Sequence, residues 1–264
     1  MGIWKPICVE TNWEGKKKLE QGDMLVEVYE VYVDLHGKTS GYIHGNVTLD
    51  CDGFNIVLFD RDKESALMIP DKGFLPLNGP ELAPLGYDPV AVIIDLKLDD
   101  DELCKGVVKW DPKSRLVDKW LDDKVQGSNG TVFVTYAVLT FACLAELDIK
   151  LIESRGQITP LRIHGDIVVY INNMQYLTYS VFSKESYDCS TIEPMDPIPL
   201  SRSLFCCRRQ SALVVKVDLY NSDTNEPLAR GALLFPLEYY GEFVGIIGDQ
   251  NMNMIQVKVI GCNT

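Results

Sequence analysis

The chain has 264 residues, 46% of them hydrophobic and 24% charged, a make-up that can bury a full core and that leaves one large domain or two small ones open. Its net charge of −13, with no basic cluster interleaved with aromatics, argues against a nucleic-acid binder, because a phosphate backbone would be repelled. The acidity is uneven: residues 1–127 hold 15 Lys+Arg against 24 Asp+Glu and residues 128–264 hold 10 against 14, so a cation or basic partner is expected to prefer the first half.

Residues 1–22 mix Trp4, Pro6, Trp13 and Gly15 with a Lys16-Lys17-Lys18 run, show neither helical nor strand period, and read as an irregular arm. From Leu25 to Leu35, β-branched and aromatic residues predict a strand, followed by strands over 42–50, 54–59 and 66–69. The proline- and glycine-rich segment 70–89 reads as a long loop, and 90–98 and 103–110 as a strand pair joined by Asp99-Asp100-Asp101-Glu102. In 111–130, Leu116, Val117, Trp120 and Leu121 fall at helical spacing, which predicts a short amphipathic helix or a linker. Strands are then expected over 132–141, 144–152, 161–171, 176–182, 212–220, 228–236, 243–247 and 254–260, with a second Pro-rich loop over 183–209.

The two halves repeat one another. Ile43-His44-Gly45-Asn46-Val47 returns as Ile163-His164-Gly165-Asp166-Ile167, the Asp95-Leu96 pair as Asp218-Leu219, and Lys105-Gly106 as Arg230-Gly231. These landmarks keep their order at displacements of 164 − 44 = 120, 218 − 95 = 123 and 231 − 106 = 125 residues, which argues for an internal duplication. The expected fold is all-β, with two related antiparallel β-sandwich-like halves and at most one short helix. The expected divisions are the arm 1–22, a first repeat 23–110, a linker 111–130 and a second repeat 131–264.

Little in the sequence points to catalysis. His44 and His164 recur at matched positions inside strands and directly before glycine, which fits a structural role, with the ring satisfying a backbone group and the glycine admitting a neighbouring strand. No Gly-x-Ser-x-Gly, His-Glu-x-x-His or phosphate-binding glycine loop is present, so no catalytic residue and no cofactor are expected. For metals, Asp50, Asp52, Asp60 and Asp62 flank one strand and Asp99 to Glu102 form a later turn, so carboxylates from separate loops are candidates for a calcium ion. The eight cysteines include no Cys-x-x-Cys pair, and the N-terminal residues lack a signal-peptide pattern, so a reduced, cytoplasmic setting is expected. Cys206-Cys207 beside Arg208-Arg209 is a candidate redox-sensitive spot, since positive charge lowers a thiol pKa. The apolar run 131–145 is too short and too rich in β-branched residues for a membrane helix and is expected to be a buried strand.

His44-Gly45-Asn46-Val47, the acidic turn after it, Asp60-Arg61-Asp62, Leu77-Asn78-Gly79-Pro80, Asp88-Pro89-Val90 and Asp95-Leu96-Lys97 resemble the pattern of a plant family common in grasses, DUF6598, over about residues 24–260. Some members of that family carry the domain beside a ribosome-inactivating N-glycosidase domain, so the resemblance implies a connection with defence or stress. The N-glycosidase's own Glu-Ala-Ala-Arg helix has no counterpart at Ala145-Glu146-Leu147-Asp148. The resemblance brings no catalytic residues. The expected function is a non-enzymatic module that binds a protein partner. A calcium-responsive sandwich that meets a membrane surface or partner and an accessory domain of N-glycosidase proteins are the alternatives.

Overall fold

The computed structural model describes residues 7–8, 23–51, 53–79, 84–114, 116–152, 160–171, 178–209, 211–237, 241–248 and 254–262. The chain divides into two compact units, one of Asp23–Ala142 and one of Cys143–Thr264 together with the N-terminal residues. The strands are β1 (Ile7–Cys8), β2 (Asp23–Asp34), β3 (Ser40–Cys51), β4 (Phe54–Arg61), β5 (Leu67–Pro70), β6 (Lys72–Phe74), β7 (Val90–Leu98), β8 (Asp101–Trp110), β9 (Trp120–Gln126), β10 (Thr131–Ile152), β11 (Leu161–Ile171), β12 (Thr178–Lys184), β13 (Ser190–Ile192), β14 (Leu204–Arg208), β15 (Ala212–Asn221), β16 (Pro227–Pro236), β17 (Gly241–Gly248) and β18 (Met254–Cys262). Among the described residues the helical content is a 3-10 turn, Pro112–Ser114, and no helix is long and apolar enough to cross a membrane.

In the first unit, strands pair in the order β4–β3–β7–β8, with β5 also on β3, and in the order β9–β10–β2–β6 through residues 131–142 of β10. Alternation of side chains drives the packing. In β7, Val90, Val92, Ile94, Leu96 and Leu98 point inward and are buried, while the residues between them are half-buried or exposed. They meet Val26, Val28, Val31 and Val33 of β2 and Val132 and Val134 of β10 in one core that also holds Phe59 and Trp110. Each such aliphatic side chain taken from water contributes roughly 1.5–3 kcal/mol.

The second unit repeats the plan. Its strands run β12–β11–β15–β16, with β13 on β11, and β17–β18–β10–β14 through residues 143–152 of β10. Among the described strands the antiparallel pattern is broken once, where β1 lies parallel to β16 with Ile7 opposite Leu233 and Cys8 opposite Leu234. Residues 41–51 and 161–171 have the same order of buried, half-buried and exposed positions throughout. The irregularities coincide as well. Register shifts fall between Val47 and Thr48 in β3 and between Ile167 and Val168 in β11, then between Leu96 and Lys97 in β7 and between Leu219 and Tyr220 in β15. Bulges retained at matched positions in both units are part of the plan and not accidents of either.

Gly45 and Gly165 explain why the repeat keeps its glycines. Gly45 has φ +107 and Gly165 φ +115, and a Cβ on either would stand 2.2 Å from the carbonyl oxygen of Asp95 or Asp218 on the adjoining strand. Both the left-handed backbone and the close approach demand a residue without a side chain.

The all-β architecture of two related sandwiches is as anticipated, but several elements differ from the sequence reading. Among its described residues, segment 111–130 holds the 3-10 turn Pro112–Ser114 but no amphipathic helix over Leu116–Leu121, and it is not a free linker. Its residues 120–126 form β9, paired residue by residue with β10, and Leu121 and Val125 pack on the first core. The open edge of β10 supplies hydrogen bonds that override the helical spacing. The strands expected over 132–141 and 144–152 are one strand, β10, in which Phe141 takes φ +50, and the boundary between the units falls within it. The Pro-rich loops carry the short strands β6, β13 and β14. Of the N-terminal arm only β1 lies among the described residues.

Candidate functional site

In the first unit, loops 62–66 and 99–100 come together beside the start of β3. His44 Nε2 lies 2.8 Å from the carbonyl oxygen of Asp99, which has φ +56, and the amide of Tyr42 donates to the Asp99 carboxylate at 3.1 Å. Lys63 and Asp100 form an ion pair that ties the two loops to each other. Asp62 accepts from the amide and hydroxyl of Ser65, both at 2.7 Å, and these bonds hold its carboxyl below the usual range.

The structure places two of the candidate calcium ligands, Asp50 and Asp60, apart. Asp50 sits opposite Asn55 at one end of the β3–β4 hairpin, and Asp60 sits opposite Asn46 nearer the other. Four residues of strand at about 3.3 Å each separate the two rows by roughly 13 Å, too far for one ion. Asp52 lies outside the described residues. Among the described residues, no group of three or more His, Cys, Asp or Glu side chains is arranged to hold a metal ion.

The matching end of the second unit has different chemistry. His164 stacks on Tyr220 with ring centroids 5.4 Å apart, and its Nδ1 is 3.0 Å from the Ser222 hydroxyl. Arg162 pairs with Asp223 at 3.0 Å, and Cys189, together with Asp223, raises the pKa of its guanidinium further. The histidines therefore share a position but not a partner: a backbone oxygen holds His44, and a ring and a hydroxyl hold His164.

Cys206 and Cys207 correct the redox expectation. Both thiols are fully buried, and burial pushes Cys206 up to about 12 and Cys207 well above the ordinary thiol value. The nearby charge that matters is Arg202, itself buried between the rings of Tyr179 and Phe205 at 4.7 and 5.2 Å, and its downward pull on the thiols is smaller than the effect of burial. Burial also brings Arg202 down to about 10. These are core groups and not exposed reactive thiols.

On the outer face of the second unit, Tyr170, Lys216, Asp218 and Arg230 surround a shallow depression of about 200 Å³ over Ala232. Asp218 and Arg230 bridge it at 3.2 Å.

The outer face of the other sheet in the first unit carries a feature that the sequence reading did not single out. Phe74, Tyr32 and Phe133 stand directly opposite one another on β6, β2 and β10, with ring centroids 5.1 and 5.8 Å apart. Phe74 is 59% exposed. Lys124 on β9 lies opposite Phe133, Lys72 pairs with Asp34 at 3.3 Å on one side of the row, and Glu30 and Asp122 lie on the other, where burial with the Asp122 charge raises the pKa of Glu30. The same row in the second unit reads Pro197, Lys150 and Gln256. Tyr32 could have been found from its parity, since it lies between the inward Val31 and Val33; its alignment with Phe74 and Phe133 could not.

The family model described as "Domain of unknown function (DUF6598)" matches residues 25–252. No curated protein sequence matches the chain. Among solved structures, the chain is similar to the paired C2 domains, A and B, of extended-synaptotagmin 2, with a TM-score of 0.31 and 10% identity over 100% of this chain and 98% of that one. It is also similar to a longer piece of the same protein that joins its SMP domain to the two C2 domains (TM-score 0.33, 11% identity, 92% and 57% covered) and to human GIVD cytosolic phospholipase A2 (0.30, 12%, 92% and 30%). Likenesses of this strength transfer no function.

Proposed function

The chain belongs to the DUF6598 family, and on that premise we propose that it is a non-enzymatic module that binds a protein partner through the outer face of its first sandwich. The observation that carries this reading is the row Phe74–Tyr32–Phe133. Folding does not require rings on that face, because the second sandwich builds the same sheet with Pro197, Lys150 and Gln256 in their place. Aromatic side chains turned to water on a rigid sheet suit a contact surface. Lys124 continues the row beside Phe133 and Lys72 pairs with Asp34, so the charges alongside are mixed and the rings set the preference, for a partner that offers apolar groups.

Affinity capture with the wild type and with Phe74→Ser tests the reading. We expect a partner to be retained by the wild type and lost by the variant, with the melting temperature unchanged because Phe74 is mostly in water. Equal capture by both would count against this face.

A calcium-responsive form of the module draws on one observation, the meeting of loops 62–66 and 99–100 through Lys63 and Asp100. Excess calcium would then raise the melting temperature by mass action, and Asp99→Asn would cancel the rise. No shift with the wild type would remove this form and leave the aromatic face untouched.

A further inference from the structure

The two sandwiches guard one edge differently. β17 borders its sheet in the second as β9 does in the first, for the row Ile246–Gln256–Lys150 matches the row Lys124–Phe133–Tyr32. Val244 opposite Lys258 likewise matches Asp122 opposite Thr135. β9 therefore carries Asp122, Asp123 and Lys124, charges of the kind that keep an edge strand from pairing with another chain. β17 carries none from Val244 to Gly248, where the sequence reads Val-Gly-Ile-Ile-Gly. Ile246 is 51% exposed there and Val244 36%. Over this stretch β17 pairs with β18 on one side, and among the described residues no strand pairs with the other side.

We infer that the Val244 to Gly248 edge of β17 is the contact through which two copies of this chain pair, antiparallel and about a two-fold axis at Ile246. In that register Val244 falls opposite Gly248 of the second copy and Gly245 opposite its Ile247, while the two Ile246 side chains cover one another. Main-chain hydrogen bonds along the edge supply the affinity. Local charge selects the occupant. An uncharged edge gives a charged segment nothing to pair with, and a second copy, which brings the same net −13, approaches at least cost where acids are few. The surroundings of β17 meet that condition. Lys258 and Lys150 stand against Glu242, Asp148, Glu146 and, next after the strand in sequence, Asp249, two bases against four acids. Lys258 also holds Glu242 at 2.7 Å, and Lys150 holds Asp148 at 3.2 Å. A strand-to-strand contact is small, so the pair is a weak one that forms as concentration rises. The pairing goes beyond the interaction-module reading and does not depend on it; where both hold, one assembly offers two aromatic rows and gains from their joint binding.

Sedimentation equilibrium of the full chain over a range of concentrations, under reducing conditions, tests the pairing. The wild-type mass should rise from one chain to two and no further. Ile246→Lys, the residue type that stands at position 124, and Ile246→Glu each set like charges face to face across the axis, so each should dimerise roughly tenfold more weakly or worse. Their melting temperatures at low concentration should match the wild type, because the side chain at 246 points to water. An equimolar mixture of the two variants sets opposite charges face to face and should recover the dimer. A wild type that stays monomeric, variants that dimerise as the wild type does, a mixture that does not recover, or a mass that climbs past two copies would each overturn the inference. Phe74→Ser should dimerise as the wild type does; loss of the dimer in that variant would overturn the β17 contact and move the pairing to the aromatic face.

Discussion

The two sandwiches are built on one plan and finished differently. They agree where backbone geometry is demanding: the glycines at 45 and 165, the paired bulges, and the amide of Asn78 or Ser201 donating to the carbonyl of Leu58 or Val181 at 2.7 and 2.8 Å. They part on surfaces that face water. Phe74, Tyr32 and Phe133 give way to Pro197, Lys150 and Gln256, and the Lys63–Asp100 loops give way to Arg162, Asp223 and Cys189. Retained features thus mark what the fold needs, and diverged ones mark where each copy is free to acquire a task.

The largest test of that division is Gly45→Val beside Gly165→Val. Each forces a branched side chain into a left-handed backbone and onto a carbonyl oxygen, so each should cost about 3 kcal/mol or more. Denaturant melts of the two variants should show similar losses; a loss at one site alone would break the equivalence.

A smaller test sharpens the comparison. A Cβ on Gly106 would stand 2.4 Å from Val125 Cγ1, whereas one on Gly231 would stand 3.1 Å from Ile247 Cγ2. Overpacking makes Gly106→Ala the costlier change, by about 1–2 kcal/mol, with Gly231→Ala near neutral in the same melts. The reverse order would mean that the second sandwich is the tighter one at this corner.

The smallest effect belongs to the cross-strand pairs Asp95–Lys105 and Asp218–Arg230, at 2.5 and 3.2 Å. Both pairs lie at the surface with their carboxylates about a third exposed, so Asp95→Asn and Asp218→Asn should each cost roughly 0.2–1 kcal/mol and lose most of that effect in high salt. A larger, salt-resistant loss at Asp218 would show that the depression beside it contributes more than a surface pair.

Particular residues show which parts of this molecule can be read from sequence. The strands around His44-Gly45 and Asp95-Leu96 were legible because local alternation and duplication point to the same answer. β9 was not, because Leu116, Val117, Trp120 and Leu121 fit a helix, and only the pairing of 120–126 with β10 across residues 127–130 settles the matter. β6, β13 and β14 are three to five residues long and lie among prolines, too short for any period to register. At the candidate sites, the acidic residues were visible as acids. Their division between the two ends of a hairpin, and the joining of two loops by Lys63, depend on pairing that no single stretch encodes. The aromatic row is of the same kind, assembled from strands that begin at residues 23, 72 and 131.

The pairing of Ile7 with Leu233 sets an order of events. During synthesis the residues of β1 leave the ribosome early and meet their partner only after another 233 − 7 = 226 residues have been made. Every other described strand finds a neighbour closer in sequence, so the β1–β16 pairing closes the largest loop among the described strands. Until then residues 7–8 lack their strand partner and, once β16 has formed, its outer edge lacks the strand that pairs with it. That interval is when the arm of one chain can be captured by the edge of another.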